Sequence, residues 1–363
     1  MEVYNIKIGK KEIKYPIMQG GMGVGISLST LAGTVSREGG IGVISAAQIG
    51  FSEQEYKRSP LETNLKMLRE HIKRARAIAP NGILGVNIMV ATKEYARYVV
   101  EAVKAGIDII ISGAGLPLEL PSLTKGSKTM LAPIVSSVKA AQIIFKMWDK
   151  KHKACPDLVV IEGPEAGGHL GFHEEDIEYY KDNSYEEEVK KIITLIKEYA
   201  EKYQKKIPIF LGGGIQSSED VEKCLSLGVD GVQVGSLFVT TEECDAHEAY
   251  KKAYVTCTKE DIVIIKSPVG LPGRAIKNNF LERIKDGRVP TTGCKRCIVT
   301  CNPMETRYCI ADALIRAVNG DTEEGLIFCG AKTYLQKEIT TVKEVLHHLC
   351  PNVQETINCV TVY

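Results

Sequence analysis

Asp157-Leu-Val-Val-Ile161 runs directly into Glu162-Gly163-Pro164-Glu165-Ala166-Gly167-Gly168-His169-Leu170-Gly171. Leu158 to Ile161 are four aliphatic residues in a row, three of them β-branched. Such a run reads as a strand buried on both faces, the signature of a parallel sheet. The glycines that follow permit positive φ and let backbone N–H groups approach a ligand closely. His169, beside that turn, is a candidate acid, base or hydrogen-bond donor. The competing reading is a glycine-rich turn with an incidental surface histidine.

The same unit, a short apolar strand ending in glycine or a polar residue, recurs along the chain. Strands are expected at 16–19, 41–44, 83–88, 108–112, 130–135, 157–161, 207–211 and 231–235. Helical patterns fall between most of them. Ser27 or Ser29 caps a helix ending near Arg37, and Ser217 or Ser218 caps another over 217–227. Eight β-then-α units predict a closed (β/α)8 TIM barrel, with an open doubly wound α/β sheet as the other architecture. Gln19, Asn87, Ser112, Ser136, Glu162, Gly212 to Gly214 and Gln233 to Ser236 all fall at strand C-terminal ends, the face that carries the site in such barrels. Residues 1–15 alternate weakly and are expected to form a hairpin capping one end. After Ser236 the pattern changes. Residues 240–305 are read as a smaller cap that packs over the barrel mouth, with 1–239 and 306–363 forming the barrel and its C-terminal helices.

The chain has 363 residues, 44% hydrophobic and 25% charged, enough for one large core. A net charge of +1 gives no global pull toward nucleic acid. No apolar stretch is long enough to span a membrane, and residues 1–7 do not resemble a signal peptide. The expectation is a cytoplasmic protein whose 11 cysteines are reduced rather than disulfide-paired.

Two glycine turns, Gly212-Gly213-Gly214 after the seventh strand and Gly235-Ser236 after the eighth, can supply N–H donors and a hydroxyl to a single phosphate. Gln19-Gly20-Gly21-Met22-Gly23 brings backbone against something flat or large. It is not the dinucleotide fingerprint, because its glycine spacing is wrong. Cys294-x2-Cys297-x3-Cys301-x7-Cys309 is a third cluster. It matches neither the common zinc fingers nor the ferredoxin runs closely, so metal ligation and reduced, packed thiols both stay open and no metal ligand is assigned.

Pro16-Ile-Met-Gln-Gly-Gly-Met-Gly23, Gly85-Val-Asn-Ile88, Glu162 to Gly171, Ile209-Phe-Leu-Gly-Gly-Gly-Ile215 and Gly231-Val-Gln-Val-Gly-Ser-Leu-Phe238, in that order, resemble the nitronate monooxygenase (2-nitropropane dioxygenase) family. That family includes the flavin-dependent enoyl-ACP reductases. The resemblance spans about residues 13–283 and implies an FMN-dependent oxidoreductase. It implies that Gln19, Gly20, Gly21 and Met22 lie against the isoalloxazine through backbone and that Asn87 hydrogen-bonds the flavin or ribityl region. Glu162 and Gly167 would line it. Gly213, Gly214, Gln233, Val234, Gly235 and Ser236 would hold its phosphate, and His169 would face substrate. Members that oxidise nitronates often carry Gln where this chain has Glu162, and enoyl reductase members often carry Glu. The expected reaction is oxidation of alkyl nitronates with O2. The alternatives are NAD(P)H-dependent reduction of an enoyl-ACP or quinone, and a non-catalytic barrel that binds a phosphometabolite or transfers electrons. Small molecules are the expected partners, with a homodimer left open.

Overall fold

A computed structural model describes residues 6–289, 291 and 293–353. Its strands are β1 (Ile6–Ile8), β2 (Lys11–Ile13), β3 (Ile17–Gln19), β4 (Ile41–Ser45), β5 (Ile83–Asn87), β6 (Ile109–Ser112), β7 (Met130–Val135), β8 (Val159–Glu162), β9 (Gly168–His169), β10 (Ile209–Gly212), β11 (Gly231–Val234), β12 (Ile262–Lys266) and β13 (Pro272–Ile276). β3 to β8, β10 and β11 close into a parallel barrel, with β11 pairing back to β3. Helices connect the strands, so the eight expected units are present as a (β/α)8 barrel.

Alternation along each strand sorts residues between two cores. Met18, Ile41, Val43, Ile83, Ile109, Ile111, Val160 and Phe210 point inward and fill the barrel. Ile17, Ile44, Leu84, Val86, Ile110, Val159 and Ile161 point outward against the helices. Gly42 is forced by that packing, since a Cβ there would lie 1.8 Å from the carbonyl oxygen of Ala32 on the helix Ser29–Arg37. The β1–β2 hairpin plugs the N-terminal end with Ile6, Ile8 and Ile13, as expected for 6–15; residues 1–5 of that expectation lie outside the described residues.

Helix caps are partly as read. Ser217 accepts the amide of Asp220 and caps the helix Ser218–Ser226. Neither Ser27 nor Ser29 caps the first helix. The Asp245 carboxylate, from far along the chain, accepts the amides of Leu28 and Leu31 at 2.8 and 3.1 Å. A long-range carboxylate satisfies orphan amides as well as a local hydroxyl does.

Parts of the chain beyond 240 pack over the mouth, while the helix Val342–Leu349 joins the core outside the barrel. β12 and β13 pair antiparallel, and β13 also pairs with β9, so a cap hairpin takes in a short piece of the barrel's own loop. β13 is missing from the sequence reading, because Pro272 and Gly273 disguise it as a turn. The layer continues past residue 305: Phe328 to Lys332 also face the mouth. No helix among the described residues is long and apolar enough to cross a membrane.

Candidate active site

A cavity of about 250 Å3 opens at the C-terminal ends of the barrel strands. Gly20, Gly21, Met22, Asn87, Glu162, Gly167, His169, Gly213, Gly214, Gln233, Val234, Gly235 and Ser236 all line it. Gln19 does not. Its side chain is fully buried, accepts the Val43 amide at 2.9 Å and donates to the Gly20 carbonyl. It bridges β3 to β4, where the two strands share a single registered pair.

One wall is backbone. Glycines follow β3, and a Cβ on Gly21 would stand 2.3 Å from the Cβ of Asn87. Gly214 has φ +74°, left-handed backbone that glycine adopts freely. A Cβ on Gly167 would meet the Cys329 carbonyl at 2.7 Å. Around Gly213, Gly214 and Gly235 the chain presents the Ser236 hydroxyl, which shares a 3.0 Å hydrogen bond with Thr333. Lys332 reaches the same place, 3.1 Å from the Gly214 carbonyl and 3.1 Å from Glu165. Backbone amides, a hydroxyl and one ammonium form a donor set suited to a phosphate monoester.

The opposite wall is made of side chains. Glu162 ends β8 and accepts the Gly171 amide at 3.3 Å. Burial pushes its carboxyl up to about 7, against the weaker opposing pull of that amide and of Arg274. His169 sits in β9. Its Nε2 lies 2.7 Å from the Ser267 hydroxyl, and Phe328 stacks edge-on at 4.9 Å. Burial pulls the imidazole down to about 4, so it is neutral near pH 7. Ser267 is itself fixed by the Val269 amide at 3.2 Å.

Arg274 holds this wall together. It is buried, donates to the carbonyls of Ala166 and Pro164 on the loop before His169, and accepts the Cys329 amide at 3.0 Å through its own carbonyl. Ser267, Arg274, Phe328 and Lys332 have no counterpart in the sequence reading. The only local hint is Gly330-Ala331-Lys332-Thr333, a glycine followed by a cation and a hydroxyl.

The four cysteines of the 294–309 segment lie outside this cavity, around a smaller one. Among the described residues, no three His, Cys, Asp or Glu side chains stand together as a metal site.

Comparison with known proteins gives a consistent result. Residues 5–352 match the nitronate monooxygenase family. A probable nitronate monooxygenase of Staphylococcus haemolyticus is 26% identical over 301 residues, covering 77% of this chain and 80% of the relative. FabK from Thermotoga maritima superposes with a TM-score of 0.68 at 26% identity, covering 93% of this chain and 92% of its own. Nitroalkane oxidase from Streptomyces ansochromogenes shares the fold, with a TM-score of 0.70 at 18% identity over 94% and 96% of the two chains.

Proposed function

The chain belongs to the nitronate monooxygenase family of oxidoreductases, and from that premise we propose that it is an FMN-dependent enzyme oxidising alkyl nitronates with O2. The observation that carries the proposal is the pairing of the two walls. A phosphate cup and a neutral His169 with a protonatable Glu162 face one cavity.

FMN fits the residues present. The cup of Gly213, Gly214, Gly235, Ser236 and Lys332 suits one terminal phosphate, and the narrow slot at Gly21 and Asn87 suits a flat ring system. When bound, FMN supplies the acceptor for the electrons leaving the substrate. A nitronate is already a carbanion equivalent, so the protein's task is mainly orientation and charge stabilisation. With Nε2 engaged by Ser267, His169 keeps Nδ1 for a substrate oxygen. Below pH about 7 Glu162 is a neutral acid that offers an O–H donor, while the ionised form repels an anionic substrate. A glutamine, the residue often found here in nitronate-oxidising members of the family, is a permanent neutral analogue of that acid.

Glu162 also favours a second reading, NAD(P)H-dependent reduction of an enoyl thioester or quinone. An acid titrating near 7 can deliver the proton that such a reduction consumes. The test is anaerobic mixing of flavin-loaded protein with propionate 3-nitronate or with NAD(P)H. Bleaching by the nitronate is expected. Bleaching by NAD(P)H alone would overturn the monooxygenase proposal and favour the reductase.

A further inference from the structure

Between the helices Asn279–Asp286 and Ile310–Val318 the described chain contains no helix and no strand. Irregular loops longer than roughly 12–15 residues are uncommon within compact domains unless they have a function of their own. This one is held tightly to the barrel mouth. Lys93 donates its amide to the Cys297 carbonyl at 2.9 Å, Val299 to the Ala91 carbonyl at 2.9 Å, and Ile298 is buried. The loop it grips carries Thr92, which lines the main cavity.

Cys294, Cys297, Cys301 and Cys309 all line one cavity of about 50 Å3 beneath this segment. All four are free thiols, so no disulfide holds the loop. Lys93, Lys295 and Arg296 line the same cavity. The Arg296 amide donates to the Cys294 sulfur at 3.3 Å, the turn that lets a C-x2-C pair aim at one point. Cys309 is the N-cap residue of the helix Ile310–Val318, which fixes its backbone at the edge of this cavity.

We propose that Cys294, Cys297, Cys301 and Cys309 ligate one tetrathiolate metal centre that closes the 294–309 segment on itself against the barrel mouth. Four thiolates select zinc or an iron–sulfur cluster. Around Zn2+ or a doubly charged four-iron cluster they leave a net charge of about −2, faced by Lys93, Lys295 and Arg296, of which Lys295 is already paired with Asp312 at 3.7 Å. The thiols do not yet stand at ligating spacing. The proposal is independent of the flavin reading.

The test is zinc, iron and acid-labile sulfide analysis of the full chain purified without oxygen, followed by titration of metal-free protein with Zn2+ or with ferrous iron plus sulfide. About one zinc per chain, or iron and sulfide in equal amounts, is expected. Zinc without colour identifies the mononuclear site, and iron with dithionite-bleachable absorption identifies the cluster. Cys294→Ser, at the exposed end, should weaken metal retention roughly 10–100-fold or more, and Cys350→Ser, buried in the barrel core, should leave it unchanged. Metal loading should also slow tryptic cutting at Lys295 and Arg296, a readout that needs no variant. No metal as purified and no saturable uptake, or full retention in a Cys294→Ser/Cys301→Ser double variant, overturns the proposal.

Discussion

The two walls of the main cavity are built by different means. The wall proposed to take the phosphate is mostly backbone at the ends of adjacent barrel strands, where glycine removes side chains and leaves main-chain groups facing the cavity. The reaction wall is side chains from distant segments: His169 on β9, Ser267 after β12, Arg274 on β13 and Phe328 further on. A backbone wall takes its position from the strand ends that the barrel's ladder sets side by side. A side-chain wall is tunable, because burial by the cap sets the proton affinities of Glu162 and His169. Cofactor binding and chemistry should therefore come apart under mutation.

The largest expected effect falls on the reaction wall. His169→Ala should lower kcat/KM roughly 10²–10⁴-fold with flavin content unchanged, measured by steady-state rates and the flavin-to-protein ratio. Loss of flavin along with activity would break the division between the walls. Gly21→Ala should do the reverse. The added Cβ meets the Cβ of Asn87 at 2.3 Å, so flavin affinity should fall by about tenfold or more, equivalent to about 1.4 kcal/mol. Titrating metal- and flavin-free protein with FMN checks it, and undiminished affinity would mean that the slot is not where the ring sits.

Glu162 sharpens the comparison through pH. Its carboxyl is protonated below about 7 and ionised above. Nitronate oxidation should decline as pH rises through about 7, and Glu162→Gln, neutral throughout, should flatten that step. A rise in rate over the same interval would assign Glu162 the role of a base. The smallest effect belongs to Lys332, whose ammonium is already engaged by Glu165. Lys332→Ala should weaken FMN binding by only a few-fold, about 1 kcal/mol or less, and should make the affinity less sensitive to salt.

The same division explains what could be read from sequence. The barrel was legible because each strand is a short run such as Ile109-Ile-Ile-Ser112, and each ends on the face that carries the site. The glycine wall was legible for the same reason: Gly213 and Gly235 sit one residue beyond a strand. Gln19 shows the limit. A polar residue at a strand end reads as a site residue, and its sequence position does not say that its side chain turns to the Val43 amide. The side-chain wall depends on contacts across the fold. Ser267 meets His169 from 98 positions away, and Arg274 reaches the Ala166 carbonyl from 108. No periodicity encodes such pairs, and Pro272 and Gly273 hide the strand that delivers Arg274.

On the proposed reading, the backbone wall holds a flavin mononucleotide. This is tested most directly by releasing the bound flavin from the purified chain with heat and identifying it by mass. The account predicts FMN, about one per chain. FAD in its place, or a protein that takes up no FMN on reconstitution, would contradict it.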